Sequence, residues 1–399
     1  MTKLLDLKNN SVIAINQNNY TKQDNYKKVC YLDTDNITNN RINAFLKIDL
    51  TKEKLPSRAK RKCSLNSIIY SSVRPNQCHF GIIKEIPKNF LVSTAFIVID
   101  IIDLEKLDPN YLYYYITQDK ITYYLQRIAE CGTSSYPSIT PLDFLNIKIK
   151  LYPLETQQKI ARTLSILDQK IENNHKINEL LHKILELLYE QYFVRFDFLN
   201  ENNKPYQTSG GKMKFSKELN RLIPSGWSVR FLNHKIVSTY QPKTISKTLL
   251  NDSYSYSVYG GGGIIGRFTE YNHEQSEFII SCRGQCGISY LTLPKSWITG
   301  NAMVIRPTKS YTSKTYLYHT IKKYKLTNYI TGSVQPQITR QNLSTMPILI
   351  PKRKTLNKWN NISSLLWNLI HNNMQSTQTL TALRDFLLPL LLKQQVKPQ

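Results

Sequence analysis

The chain has 399 residues, enough for two or three domains and too many for one typical domain. Hydrophobic content of 41% with 11% aromatics belongs to a globular protein with a real core, and the longest apolar run near the end, 386–392, is far too short to span a bilayer. Net charge is +25, with 53 Lys and Arg against 28 Asp and Glu, which points to a polyanion partner: nucleic acid or an anionic membrane surface.

The first 28 residues are polar and Asn-rich and have no signal-peptide layout; with six scattered cysteines, this makes a reducing cytoplasm the expected location. A strand is predicted over 29–32, turning at Asp33-Thr34-Asp35-Asn36. The run 57–62, SRAKRK, reads as a basic loop. Strands are predicted over 67–73, 81–86 and 90–102, the first ending at Arg74-Pro75-Asn76-Gln77. Asp108-Pro109 opens a helix over 111–129, followed by a loop from Gly132 to Pro137 and a strand over 146–151.

Residues 154–198 then read as one long helix, roughly 60 Å of rod. Ile160, Leu164, Leu167, Ile171, Asn174, Asn178, Leu181, Leu185, Leu188 and Tyr192 recur at steps of four and three, the seam of a helix packed on another helix. The two seam asparagines fix register at some cost in stability.

Residues 199–214 read as a polar linker. In the second half, strands are predicted over 254–259, 277–282 and 302–306, with a glycine loop at 260–263 and a helix over 311–329. Pro137-Ser138-Ile139-Thr140 matches Pro336-Gln337-Ile338-Thr339, and Ile171-Glu172-Asn173-Asn174 matches Ile370-His371-Asn372-Asn373, at one constant shift of 199 residues. The chain is therefore a tandem repeat, each half a globular part followed by a long helix. At this shift the first seam maps onto Leu366, Ile370, Asn373, Leu380 and Leu387. The second helix reads as degraded: Trp359 and Arg384 fall on its seam, and Pro389 is expected to break its end. The predicted layout is a globular domain over 1–153, a helix over 154–198, a linker over 199–214, a second globular domain over 215–352 and a helix over 353–395.

No catalytic motif stands in its required context. Gly261 to Gly266 matches G-x-G-x-x-G, but Arg267-Phe268-Thr269-Glu270 follows with no helical period, so no helix N-terminus is there to hold a pyrophosphate. Asp108-Pro109-Asn110-Tyr111 is close to the Asp-Pro-Pro-Tyr of amino-methyltransferases, but no glycine-rich cofactor motif precedes it, and it reads as a helix start. Cys282 and Cys286 have no second pair at zinc-site spacing. The expectation is a chain that does no chemistry and binds neither cofactor nor metal.

Arg, Asn and Gln in a loop after a strand are the side chains that read base edges bidentately. Arg74, Asn76, Gln77, Arg283, Gln285 and Gln335 fit that role, and Tyr136 and Tyr259 are loop aromatics that could touch DNA. Lys60, Arg61, Lys62 and Arg267 suit phosphate contact, which supplies affinity but no sequence. A different class of reading is a coiled-coil interaction scaffold whose basic surface meets a polyanion without sequence preference.

The sequence resembles the specificity subunits of type I restriction–modification systems. The resemblance is carried by Tyr136-Pro137-Ser138-Ile139-Thr140, by Pro153-Leu154-Glu155-Thr156-Gln157-Gln158-Lys159-Ile160-Ala161, by Leu167-Asp168-Gln169-Lys170-Ile171, by Leu222-Ile223-Pro224-Ser225-Gly226-Trp227 and by Val258 to Gly266. It implies an α+β architecture: two mixed α/β target-recognition domains in tandem, each followed by a long α-helix, the helices pairing as an antiparallel coiled-coil spacer. It implies that each domain reads one half of a split site in double-stranded DNA. It implies as partners two methyltransferase (modification) subunits and restriction subunits, which would use S-adenosylmethionine, ATP and Mg2+. The second half departs from the pattern. Pro351-Lys352-Arg353-Lys354-Thr355-Leu356 replaces the Pro-Leu-x-x-Gln-Gln stretch, which bears on whether the second helix docks its modification subunit as the first does.

Overall fold

The computed structural model describes residues 1–132, 136–251, 254–284, 286–332 and 335–397. They form two units, Met1–Asn174 with Ser376–Gln399, and His175–Gln375, so the division falls inside both long helices, Leu154–Tyr189 and Arg353–Leu392.

In unit 1 the apolar strands Ile68–Ser71 and Phe96–Ile101 pair antiparallel, Phe96 opposite Ser71 and Ile99 opposite Ile68. Ile13–Ile15 and Phe80–Ile82 flank them in a four-stranded sheet. A second four-stranded sheet runs Leu46–Asp49, Lys28–Leu32, Phe90–Ser93, Ala59–Arg61, its two middle strands parallel. The apolar run 90–102 is thus two strands in two sheets, cornering at Thr94–Ala95; no glycine or proline marks the corner. The helical run 111–129 is likewise two helices, Pro109–Ile116 and Asp119–Glu130. Between them Thr117 Oγ1 bonds back to the Tyr113 carbonyl at 2.8 Å and Gln118 Nε2 to the Tyr115 carbonyl at 2.7 Å. Asp108 caps the first helix by accepting the Tyr111 amide at 2.8 Å. Tyr111 is fully buried, and its hydroxyl donates to the Lys150 carbonyl, tying this helix to the segment that enters the rod.

Unit 2 repeats the plan. Val237–Tyr240, Ala302–Pro307, Phe278–Ser281 and Ser289–Leu291 form an antiparallel sheet in the same order, with Ala302 opposite Ser281 where unit 1 has Phe96 opposite Ser71. Gly263–Phe268, Tyr256–Gly260 and Trp297–Ile298 form the second sheet, the last two parallel. Ser313 caps the helix Lys314–Lys322 through the Tyr316 amide, and the buried Tyr316 hydroxyl donates to the Leu349 carbonyl, as Tyr111 does to Lys150. Of the run predicted as helix over 311–329, Lys314–Lys322 is α-helical and Leu326–Tyr329 is a 3-10 turn. Residues 213–214, read from sequence as linker, belong to a strand, Met213–Ser216, paired with Arg221–Pro224.

The long helices pair antiparallel within each unit. In unit 1 Asp168 meets Arg384 and the Asn174 amide reaches Thr377 Oγ1 at 3.3 Å. In unit 2 the Asn373 amide donates to Asn178 at 2.9 Å, and the Asn178 amide to the Ile370 carbonyl at 3.3 Å. The predicted seam residues Leu164, Leu185 and Ile370 are buried, and Leu167, Ile171, Asn174, Leu181, Leu188, Leu366, Asn373, Leu380 and Leu387 are half-buried. Trp359 and Arg384 do not degrade the seam: Trp359 is buried in the unit 2 core and Arg384 is ion-paired. Nor does Pro389 end the helix, which runs on to Leu392. With only three residues beyond it, the missing amide disturbs no more than the last turn.

Where the unit 2 rods meet their globular part, His182 meets Trp367 and His319 meets Trp359 edge to face, Tyr189 stacks on His319, and His371 tilts against Trp367. The Nε2 atoms of His319 and His371 are buried with no hydrogen-bond partner among the described residues. Burial pulls the His319 imidazole down to about 3, helped by Lys322, His182 and Lys323, and pulls His371 down to about 4, helped by Lys314 and His182. Above the ordinary histidine value of 6.5 both states are neutral and stability is independent of these groups. Below it the unfolded chain takes up protons that the folded one refuses. Stability should therefore fall by about 1.4 kcal/mol per pH unit per histidine until the folded values are reached. All four tryptophans lie in unit 2, so an acid titration followed by tryptophan fluorescence reads this unit alone. The transition should move to lower pH in His319→Phe; an unmoved midpoint would contradict the assignment.

Candidate nucleic-acid interface

In unit 1 the strand Ile68–Ser71 runs out into a loop that backbone bonds pin from two sides. The Ser72 amide donates to the Ala95 carbonyl at 2.7 Å, and the Ile139 and Arg74 amides join this loop to 137–139 at 2.8 and 2.9 Å. The Thr94 amide donates to the Arg58 carbonyl at 2.8 Å, which brings the basic loop to the same end. Arg74 has left-handed φ of 46°, opens a 3-10 turn, Pro75–Gln77, and sets its guanidinium 5.4 Å from the centre of the exposed Tyr136 ring. A cation on an aromatic face is held in place yet keeps its outer N–H edge for hydrogen bonding. The Asn76 amide is fixed to the buried Gln126 side chain at 3.2 Å while its own side chain is exposed. Gln77 is exposed and bonded to His79.

Unit 2 builds the same junction. The Cys282 amide donates to the Asn301 carbonyl at 3.0 Å and the Ile338 amide to the Cys282 carbonyl at 3.1 Å. Arg283 is exposed and bridges to Gln337. The glycine run is a turn between the antiparallel strands Tyr256–Gly260 and Gly263–Phe268, with no helix behind it. A side chain at Gly261 would lie 2.9 Å from the Arg283 carbonyl, so glycine lets this turn close on the arginine loop. At Gly300 a Cβ would stand 2.7 Å from Thr244 Oγ1 and 2.9 Å from the Pro242 carbonyl, which brings the 242–244 loop in as well.

The predicted residues divide accordingly. Arg74, Asn76, Gln77 and Tyr136 cluster at the unit 1 end, and Arg283 lies at the unit 2 end, where Gln335 is exposed in the loop leading to Gln337; Gln285 lies outside the described residues. Tyr259 does not belong. Its parallel partner Ile298 places it where unit 1 has Leu32 opposite Val92. There it is buried, its hydroxyl accepts the Leu293 amide at 3.0 Å, and burial pushes the phenol up to about 12. Arg267 is also misplaced. It sits at the far end of its strand from the glycine turn, and its guanidinium donates to the Tyr254 and Ser255 carbonyls. Arg61 is half-buried and donates to the Thr94 carbonyl, and Lys62 is paired with Asp24 at 2.5 Å, so of these three basic-loop candidates Lys60 alone is exposed. Sequence reasoning missed Arg58, exposed at this end, although it stands in the basic run. It also missed Lys243 and Asn301, both exposed, which no local signal could have found because folding brings their loops together, through the pairing of Tyr240 with Val304 and the packing at Gly300.

The two arginines are not equivalent. Ser72 and Cys282 occupy matching positions, so Arg283 corresponds to Val73, and Arg74 to Gly284.

A family model described as "Type I restriction modification DNA specificity domain" matches residues 6–183 and 224–383. The chain is 23% identical to the type I restriction enzyme HindI specificity subunit of Haemophilus influenzae, covering 93% of this chain and 95% of that protein. It is 25% identical to the type I restriction enzyme MjaIX specificity subunit of Methanocaldococcus jannaschii, covering 73% and 70%. The crystal structure of a type I restriction-modification system S subunit from M. genitalium has the same fold, with a TM-score of 0.56 at 16% identity over 98% of this chain and 99% of that one. With its two matched segments falling one in each half, the chain belongs to the type I restriction–modification DNA specificity family.

Proposed function

We propose that this chain is the sequence-reading subunit of a type I restriction–modification complex in the cytoplasm, and that each unit reads one half of a bipartite site in duplex DNA. The observation that carries this is the repeated junction. In both units the same backbone bonds, Ile139 to Ser72 and Ile338 to Cys282, bring an exposed arginine loop and the segments 137–139 and 337–338 to one end of a sheet. Built once in each unit, such a junction suits two readings of a duplex better than a diffuse polyanion surface does.

On this reading the chain is not itself an enzyme. Modification subunits carry the methyl transfer with S-adenosylmethionine, and restriction subunits use ATP and Mg2+. A docking face for a modification subunit is offered in unit 2 by Ile177, Leu180, Ile184 and Leu187, which are 46%, 58%, 44% and 63% exposed at steps of three and four. That spacing is a second helix-packing stripe, about 100° around the helix from the buried seam.

The test is a methylation map of DNA from cells carrying the chain with its methyltransferase. Methyl-adenines in a split motif, lost on deletion of this chain, are expected; chain-independent methylation would overturn the reading. Arg74→Ala and Arg283→Ala should each relax one base pair in one half-site only, a loss of about 1–3 kcal/mol of discrimination. Because the two arginines stand one position apart in the repeat, the relaxed positions should differ between half-sites. Binding to a panel of single-substituted duplexes reads this directly, and uniform weakening across the panel would make these residues phosphate contacts instead.

A further inference from the structure

The two units differ at one connection beside their arginine loops. In unit 1 the strand Lys28–Leu32 and its antiparallel return Leu46–Asp49 are last paired at Tyr31 and Leu46, and residues 32–45 join them. In unit 2 the corresponding strands, Tyr256–Gly260 and Gly263–Phe268, are joined by Gly261-Gly262 alone. The longer connection holds a 3-10 turn, Thr34–Asn36, and a tight hairpin of Ile37–Thr38 with Arg41–Ile42. The Asn43 amide closes it by donating to the Asn36 carbonyl at 2.8 Å. Asn39 and Asn40 make the hairpin turn with φ of 47° and 65°, the left-handed pair that a two-residue hairpin demands.

The hairpin is built onto the chain that leaves the unit 1 arginine loop. The Asn39 and Asn40 amides donate to the Cys78 and Phe80 carbonyls, each at 2.9 Å, and Asn40 Oδ1 accepts the Ile82 amide at 2.8 Å. His79, two residues after Gln77, donates from Nδ1 to the Ile37 carbonyl at 2.5 Å. Ile37 is fully buried, and a Cβ at Gly81 would stand 2.7 Å from its Cδ1, so glycine lets the hairpin seat. In unit 2 the Gly261 turn closes on the Arg283 carbonyl. The two connections thus hold one place in the repeat, each bordering its arginine loop, but the one in unit 2 presents no side chain.

We infer that this hairpin is a second base-reading element of unit 1, with Asn39 as its specificity-determining side chain; the inference rests on the duplex reading above. Ile37 and Ile42, paired with each other, turn to the core, and Asn40 is committed to Ile82. The Asn39 side chain is exposed at the tip and bonded to nothing among the described residues. A free carboxamide sets a donor beside an acceptor, the pair that matches N7 and N6 of adenine in the major groove. The charges of the connection are Asp33, Asp35 and Arg41, so it brings no net attraction for phosphate. Affinity is left to groups such as Arg58 and Lys60, exposed at this end, and what the hairpin adds is discrimination. The half-site of unit 1 then includes an A·T pair beyond those met by the arginine loop, a position for which unit 2 has no counterpart.

The test takes the full chain assembled with its methyltransferase and measures binding to duplexes that carry the methylated motif, substituted one base pair at a time. Asn39→Gly keeps the left-handed turn and removes the carboxamide, so the melting curve should not move. Discrimination at one A·T pair of the unit 1 half-site should fall about tenfold or more, at a position other than the one relaxed by Arg74→Ala. The salt dependence of binding should stay as it is. Asn39→Asp, which keeps the turn and exchanges the donors for an acceptor, should lose the same preference. Unchanged discrimination in both variants would overturn the inference, and so would a uniform loss across the panel, the mark of a phosphate contact. Relaxation at the Arg74 position would overturn it too, by making the hairpin a support for the arginine loop. A native complex with no sequence preference would instead sink the duplex reading, and this inference with it.

Discussion

Replacing Gln157 with leucine, the residue that the second half carries at the matching position 356, should destabilise unit 1 by about 3–5 kcal/mol. Gln157 is fully buried at the foot of the rod. Its Oε1 accepts the Asp108 amide at 3.0 Å, and its Nε2 donates to the Lys106 and Tyr152 carbonyls at 2.9 and 2.8 Å. One side chain thus joins the start of the capped helix Pro109–Ile116 to the start of the rod. Leucine would fill the volume and leave three backbone groups without these partners, each costing about 1–3 kcal/mol where water cannot reach them. Leu356 is itself fully buried, so the converse change Leu356→Gln places an amide in the unit 2 core without a partner built for it and should cost about 1–3 kcal/mol. Thermal melts by circular dichroism, with amide exchange over 105–116, measure the first; tryptophan fluorescence measures the second. A loss under about 1 kcal/mol for Gln157→Leu would show that the bonds are not needed and would free the side chain for a partner. The result bears on the loss of the Pro-Leu-x-x-Gln-Gln stretch from the second half. Its first glutamine works inside unit 1 while Gln158 is exposed, so a difference in partner docking would rest on Gln158 and its exposed neighbours.

How far the sequence could be read follows from where the repeat keeps its shift. From the Gly-to-Pro loop through the rod the shift is constant, because loop, short strand and helix start are tied by conserved-length segments such as Thr140 capping Asp143 and Thr339 capping Asn342. Upstream the spacing drifts. Asp108 matches Ser313, Phe96 matches Ala302, Ser71 matches Ser281 and Leu32 matches Tyr259, each pair at a larger separation than the one after it in the chain. Loop insertions cause the drift, and no fixed-shift comparison can follow it. Tyr259 was misread for that reason: beside a glycine run it looks like a loop residue, and only its parallel partner turns it inward. The corner at Thr94–Ala95 is equally silent, since β-branched residues continue on both sides of it. Residue types at the interface were legible, but their gathering was not. Ser72 and Ile139 are brought together by folding, across 67 positions of chain, and burial of Arg61 and pairing of Lys62 depend on strands that local pattern does not connect.

The seam of the rods yields the second large effect. Arg384 stands where the first rod has Leu185. In unit 1 it binds Asp168 at 2.8 Å and Asp385 at 2.8 Å, and Tyr114 donates its hydroxyl to the other Asp168 oxygen at 2.6 Å. Burial works against the guanidinium charge, and the Asp168 and Asp385 carboxylates outweigh it, so its pKa lies above the ordinary arginine value. Burial and Asp168 together push the Tyr114 phenol well up. Asp168→Leu removes the carboxylate that both groups need and should cost about 3 kcal/mol, since a charge left half-buried with one exposed partner is worse than no charge. Adding Arg384→Leu should recover most of that loss, because a buried ion pair exchanged for packed apolar side chains is often neutral or stabilising. A double-mutant cycle on the unit 1 melt separates the cases. If Asp168→Leu costs less than about 1 kcal/mol, the pair is an ordinary surface contact. If the double variant stays as unstable as the single one, packing and not charge holds this joint. The recovered double variant would also have leucines where the native rods pair charges. Register would then rest on Asn174 with Thr377 in unit 1 and Asn178 with Asn373 in unit 2. Adding Asn174→Leu to it should broaden the melt without lowering its midpoint, the mark of a seam that is stable in more than one alignment.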